Sequence, residues 1–187
     1  MGRLTVGVVG IGHLGTYHLQ KYAMIEDCVI AGVSDIKGDN TEQAAGLYRC
    51  AGVTDYRDLI GKVDAVSIAT PTVTHHAIAR DFLEAGIDVL LEKPMTLTIQ
   101  EGRAMVNAAR KYDRVVQVGS QQRSSVRSRI GCELVRNNRA GKIHTVHGAN
   151  YPSPWDQPFP EQPVPEGIDW DKWLGPNQVR AFHIDLY

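Results

Sequence analysis

Three glycines, Gly10, Gly12 and Gly15, stand between a β-branched run and a segment able to continue as a helix, and nothing else in the chain constrains its fold as much. Upstream, Leu4, Val6, Val8 and Val9 read as a short strand buried on both faces. Downstream, residues 13–25 read as a helix. The next apolar run, Val29 to Ser34, ends in Asp35, twenty residues beyond Gly15. A glycine triplet alone is weak evidence. Placed between strand and helix, with a second strand ending in an acid at that distance, it is the dinucleotide-binding fingerprint.

Each residue type in the pattern has a physical task. The first glycine permits the tight turn, the second lets backbone approach a pyrophosphate, and the third lets helix and strand pack closely. The helix start, at His13 and Leu14, presents unpaired N–H groups to phosphate charge. Asp35 can accept hydrogen bonds from a ribose diol. A carboxylate there repels a 2′-phosphate, so NAD is expected and NADP disfavoured, with Lys37 softening the preference.

Beyond residue 35 strands and helices keep alternating. Helices are expected at 40–50, 73–85, 98–112 and 124–138, and strands near 64–69, 87–91, 114–119 and 143–150. The stripe Gly102, Met105, Val106, Ala109 and Tyr112 follows one helical face, as do Val126, Ile130 and Leu134. Short apolar strands alternating with helices specify a doubly wound parallel sheet, an α/β Rossmann fold. Residues 1–122 are read as this domain and 123–187 as the beginning of a second α/β domain. Six of the nine prolines lie between Pro152 and Pro165, which reads as extended loop. All three tryptophans, Trp155, Trp170 and Trp173, follow the predicted last strand and need a surface to dock on.

Composition excludes more than it assigns. With 20 basic and 21 acidic residues the net charge is −1, so nothing favours nucleic acid. No apolar stretch has the ~20 residues of a membrane span, and Met1-Gly2-Arg3 leads directly into the first strand without a signal peptide. Cys28, Cys50 and Cys132 form no C-x-x-C pair and read as reduced thiols of a cytoplasmic protein. No metal is expected. His144 and His147 have metal-like spacing for a helix, but on a strand they would face opposite ways.

Polar residues recur where the predicted strands end, on the edge where such sheets bind ligands. Thr70 and Pro71 close the third long strand, with His75 on the following helix. Glu92-Lys93-Pro94 closes the fourth, and Gly119 with Ser120, Gln121, Gln122 and Arg123 the fifth. Lys93 is the chemically interesting member, since an ammonium partly desolvated beside a cofactor can orient a substrate hydroxyl or exchange its proton.

The set Gly10-x-Gly12-x-x-Gly15, Asp35, Ala69-Thr70-Pro71 with His75, and Glu92-Lys93-Pro94 resembles the Gfo/Idh/MocA oxidoreductases over residues 4 to at least 125. Ile168 to Pro176 is similar to a subgroup of the same family. The resemblance implies that the glycine loop and Asp35 hold NAD(H). It implies that Thr70, Pro71, His75, Glu92, Lys93 and Gln121 lie around the cofactor, and that Lys93 and Arg123 reach substrate. The implied reaction is hydride transfer between NAD(H) and a secondary alcohol or ketone of a sugar, inositol or related polyol. Two alternatives share these residues: an NAD-using glycosidase or lyase of the same family, and a non-catalytic cofactor-binding module. Family members also carry an aspartate and histidine in a glycine-rich motif of a C-terminal domain, through which they associate into oligomers. His183 and Asp185 do not match that motif, so the catalytic base is expected to lie outside these residues.

Overall fold

The computed structural model describes residues 2–150 and 157–187, and the chain divides into two compact units, 1–119 and 120–187. The first unit holds six strands: β1 (Leu4–Val9), β2 (Cys28–Ser34), β3 (Ala51–Val53), β4 (Ala65–Ile68), β5 (Asp88–Leu91) and β6 (Val116–Val118). They form one parallel sheet in the order β3-β2-β1-β4-β5-β6. Helices α1 (His13–Tyr22), α2 (Gly38–Tyr48), α3 (Thr72–Glu84) and α4 (Ile99–Lys111) make the crossovers. The strand order reverses at β1, between β2 and β4, and this opens a crevice at the carboxyl ends of the strands.

The sheet is apolar on both faces because helices cover both. Val9, Val66, Ile68, Val89 and Leu91 pack with Ile78, Phe82 and Leu83 of α3 and Met105 of α4. Val8 and Val33 pack the other way, against Leu19 of α1 and Ala44 of α2. Neighbours Val8 and Val9 thus enter different cores, as the two-residue period of a strand requires. The stripe expected on α4 is present, with Met105 at its buried centre. That helix also caps itself: Thr98 Oγ1 accepts from the Glu101 amide, and Glu101 Oε2 accepts from the Thr98 amide.

Strand β3 is absent from the sequence expectation. It has three residues, separated from the end of α2 at Tyr48 only by Arg49 and Cys50, and is too short for its pattern to be read. It is held by pairing of Gly32 to Ser34 with Ala51 to Val53.

In the second unit, α5 (Val126–Arg136) matches the helix expected at 124–138, but the strand expected at 143–150 does not form. No neighbouring strand among the described residues supplies its ladder hydrogen bonds, and a lone strand has nothing to hold it. Without a strand, nothing holds His144 and His147 on opposite faces. A short helix, α6 (Trp170–Leu174), lies beyond the proline-rich stretch and is absent from the sequence expectation; Asp169 caps it by accepting from the Lys172 amide. The tryptophans find their surface in each other. Trp170 stacks on Trp173 at 4.6 Å, meets the Phe182 edge at 5.1 Å, and donates from Nε1 to the Arg180 carbonyl. Trp155 and the first prolines of the loop lie outside the described residues. Among the described residues no helix is long and apolar enough to cross a membrane.

Candidate functional site

The glycine loop is built by close backbone approach. Gly10 has φ +87°, and a Cβ there would stand 2.8 Å from the Ala69 carbonyl group at the tip of β4. A Cβ on Gly15 would stand 1.8 Å from the Gly10 carbonyl oxygen, so α1 can begin here only without a side chain. Gly12 differs, since a Cβ there would meet nothing within 4 Å. Gly12 is also the N-cap of α1, where no side chain caps the helix and no acid stands in the first turn. The amides that Thr98 and Glu101 satisfy at the start of α4 therefore have no side-chain partner at the start of α1, the arrangement that suits a phosphate. His13 is exposed there, edge-on to Tyr17, and Leu14 is half-buried.

Asp35 follows β2 and reaches the loop. Its Oδ2 accepts from the Ile11 amide at 2.7 Å and its Oδ1 from the Lys37 amide at 2.9 Å. The residues present thus fit a dinucleotide: an uncapped helix start, an unobstructed glycine beside it, and an acid fixed at the next strand tip.

The tips of β4 and β5 are joined by His75. It is 1% exposed, with Nε2 2.8 Å from the Thr70 carbonyl and Nδ1 2.9 Å from the Pro94 carbonyl. Thr74 Oγ1 bonds both the Thr70 hydroxyl and the Pro71 carbonyl, closing the same corner. His75 therefore stands between two backbone carbonyls, one ring nitrogen facing each, and its N–H donates to one of them. Glu92 is 8% exposed beside it, and its Oε2 accepts from the Lys93 amide at 3.2 Å. Lys93 itself is exposed, so the desolvation looked for in the sequence is not supplied by the described residues. The Lys93–Pro94 peptide is cis. Gln121 and Arg123 lie in a 3₁₀ turn, Gln121–Ser124, of the second unit, where both are exposed.

Three polar residues missing from the sequence reading lie behind this edge. His18 Nε2 is 3.0 Å from Glu92 Oε1, His18 Nδ1 is 3.1 Å from Ser67 Oγ, and Ser67 Oγ is 2.6 Å from the Tyr22 hydroxyl. Burial pushes the Tyr22 phenol above its ordinary pKa, against the smaller lowering effect of the Ser67 bond, so it keeps its proton through the neutral range. One signal was available: Ser67 is a lone hydroxyl in a strand that is otherwise apolar, and a buried hydroxyl needs a partner.

A doubly wound sheet with a glycine loop at its switch point and an acid at the next strand tip defines the dinucleotide-binding class of fold. The chain belongs to the Gfo/Idh/MocA family, whose model, described as "Oxidoreductase family, NAD-binding Rossmann fold", matches residues 4–120. The UDP-N-acetylglucosamine 3-dehydrogenase of Acidithiobacillus ferrooxidans is 40% identical over 123 residues, covering 66% of this chain and 39% of that protein. The myo-inositol 2-dehydrogenase of Thermotoga maritima is 29% identical over 146 residues, covering 76% and 44%. Among solved structures, scyllo-inositol dehydrogenase from Lactobacillus casei with bound NAD(H) and scyllo-inositol matches with a TM-score of 0.72 at 25% identity, covering 75% and 43%. The chain thus spans about two-fifths of the length of these relatives.

Proposed function

We propose that the chain carries the cofactor-binding half of an NAD(H)-dependent dehydrogenase acting on a secondary alcohol of a sugar, inositol or related polyol. One observation carries the reading: polar contacts draw the tips of β1 and β2, and those of β4 and β5, together at one edge of the sheet. Asp35 joins β2 to the glycine loop, and His75 joins Thr70 to Pro94. The relatives' activities on inositols and on a nucleotide sugar support the substrate class.

The amides of the α1 start hold the pyrophosphate, and the carboxylate of Asp35 accepts from the adenosine ribose. Thr70, Pro71 and Glu92 border the nicotinamide half. When bound, nicotinamide supplies the hydride acceptor at its C4. Lys93 Nζ donates to the substrate hydroxyl oxygen and orients the carbon whose hydrogen departs as hydride. The hydroxyl proton must leave to a base, a role assigned to no described residue. Gln121 and Arg123 are proposed to serve the cofactor and substrate, and residues 123–187 to open a substrate and oligomerisation domain. The unpaired thiols Cys28, Cys50 and Cys132 support a cytoplasmic location.

The test is NADH binding, followed by its fluorescence, to the chain and to Lys93→Met, with and without myo-inositol, scyllo-inositol or UDP-N-acetylglucosamine. NADH binding, with a response to one of these compounds that K93M loses, supports the reading. No NADH binding, or a response that K93M keeps, contradicts it.

A further inference from the structure

The buried polar chain behind the site runs from Tyr22 and Ser67 through His18 to Glu92. We take its protons in one order: Tyr22 donates to Ser67, Ser67 to His18 Nδ1, and His18 Nε2–H to Glu92 Oε1. This order leaves no atom of the chain without a partner.

Glu92 is closely confined. A Cβ on Gly119 would stand 2.8 Å from its Oε1 and 3.2 Å from its Oε2, so the glycine at the end of β6 leaves the room the carboxylate occupies. A carboxylate this buried is costly unless bonded, and its described donors are the His18 ring and the Lys93 amide.

We propose that His18 is a positioning residue: its Nε2 holds the Glu92 carboxylate where Oε2 accepts the Lys93 amide, and so it sets where Lys93 leaves the end of β5. The consequence for the cofactor rests on the role given to Glu92 and Lys93 above. His18 touches neither cofactor nor substrate. It acts from α1 on the tip of β5, 74 residues away in sequence, and couples the helix that faces the pyrophosphate to the strand that carries the lysine.

Two substitutions separate positioning from packing. In His18→Gln the amide nitrogen falls near the place of Nε2 and still donates to Glu92. In His18→Asn the amide falls near Nδ1, keeps Ser67 and loses Glu92. The readouts are NADH affinity by fluorescence titration and the Lys93 amide resonance in the protein without cofactor. H18Q is expected to bind NADH within about threefold of the parent and to leave the Lys93 amide in place. H18N is expected to bind about tenfold more weakly, with that amide shifted. Equal behaviour of the two variants in both readouts overturns the proposal, as does an unmoved Lys93 amide in H18N. If the parent chain binds no NADH, the function proposed above falls and the Lys93 amide alone decides the role of His18. Should H18N not fold, the ¹⁵N spectrum of the parent imidazole decides: the Nε2–H tautomer is expected, and the Nδ1–H tautomer overturns the assignment.

Discussion

The Asp35 carboxylate accepts the Ile11 amide at 2.7 Å, so the acid that ends β2 is fastened to the glycine loop. Its second oxygen accepts the Lys37 amide, which fixes the plane of the carboxylate. Each oxygen keeps a further lone pair for a hydroxyl. The acid is thus fastened to the loop, as the proposed ribose contact requires.

Asp35→Asn replaces one acceptor oxygen by a donor, which must face either an amide N–H or the ribose hydroxyl. NADH affinity is expected to fall about tenfold and the preference over NADPH to narrow, because the charge that repels a 2′-phosphate is gone. Fluorescence titration with both cofactors checks this; an unchanged preference would remove Asp35 from the ribose site.

The three glycines separate by what surrounds them. Gly15→Ala drives a methyl group into the Gly10 carbonyl, backbone against backbone, and is expected to cost about 2–4 kcal/mol and lower Tm by several degrees. Gly12→Ala meets no atom within 4 Å and should leave Tm unchanged while weakening NADH binding. Thermal melts and titrations of both variants distinguish a folding glycine from a ligand-facing one.

The loop and its acid were legible in the sequence because their signals are local: a strand, three glycines, a helix and a carboxylate within some thirty residues. The order of helices and strands to residue 119, β3 excepted, was legible for the same reason. The network of His18, Ser67 and Glu92 was not, since it joins positions 49 and 74 residues apart that only the sheet order brings together. The strand expected at 143–150 has apolar content but no partner among the described residues, and pairing is not written in the strand that needs it. Helix α6 went unread because five residues are too few for a periodic pattern.

Tyr56 gives the fold an alkaline limit. It donates to Asp81 Oδ2 at 2.7 Å, and burial followed by that bond pushes its pKa up to about 12 from 10.0. The unfolded chain releases this proton near pH ~10, while the folded chain keeps it to pH ~12. The stabilisation is therefore complete below the lower value and is lost as pH rises through the upper one. In urea unfolding, the stability advantage of the parent over Tyr56→Phe should shrink across that window. A constant difference would show that the bond does not control the titration.

Helix α5 presents Ile130 and Leu134 with 47% and 49% of their surface exposed, and none of its residues is buried. An uncovered apolar stripe of this kind promotes association. The chain is expected to self-associate with rising concentration, and Ile130→Glu with Leu134→Glu to suppress this. Sedimentation velocity reads both; an equally associated double variant would place the contact elsewhere.

The most direct test of the account is a calorimetric titration of the folded chain with NADH and, in parallel, with NADPH. Micromolar binding of NADH, about tenfold or more tighter than NADPH, is the predicted result. No binding of either cofactor, or equal affinity for both, would contradict the assignment of the glycine loop and Asp35 as an NAD(H) site.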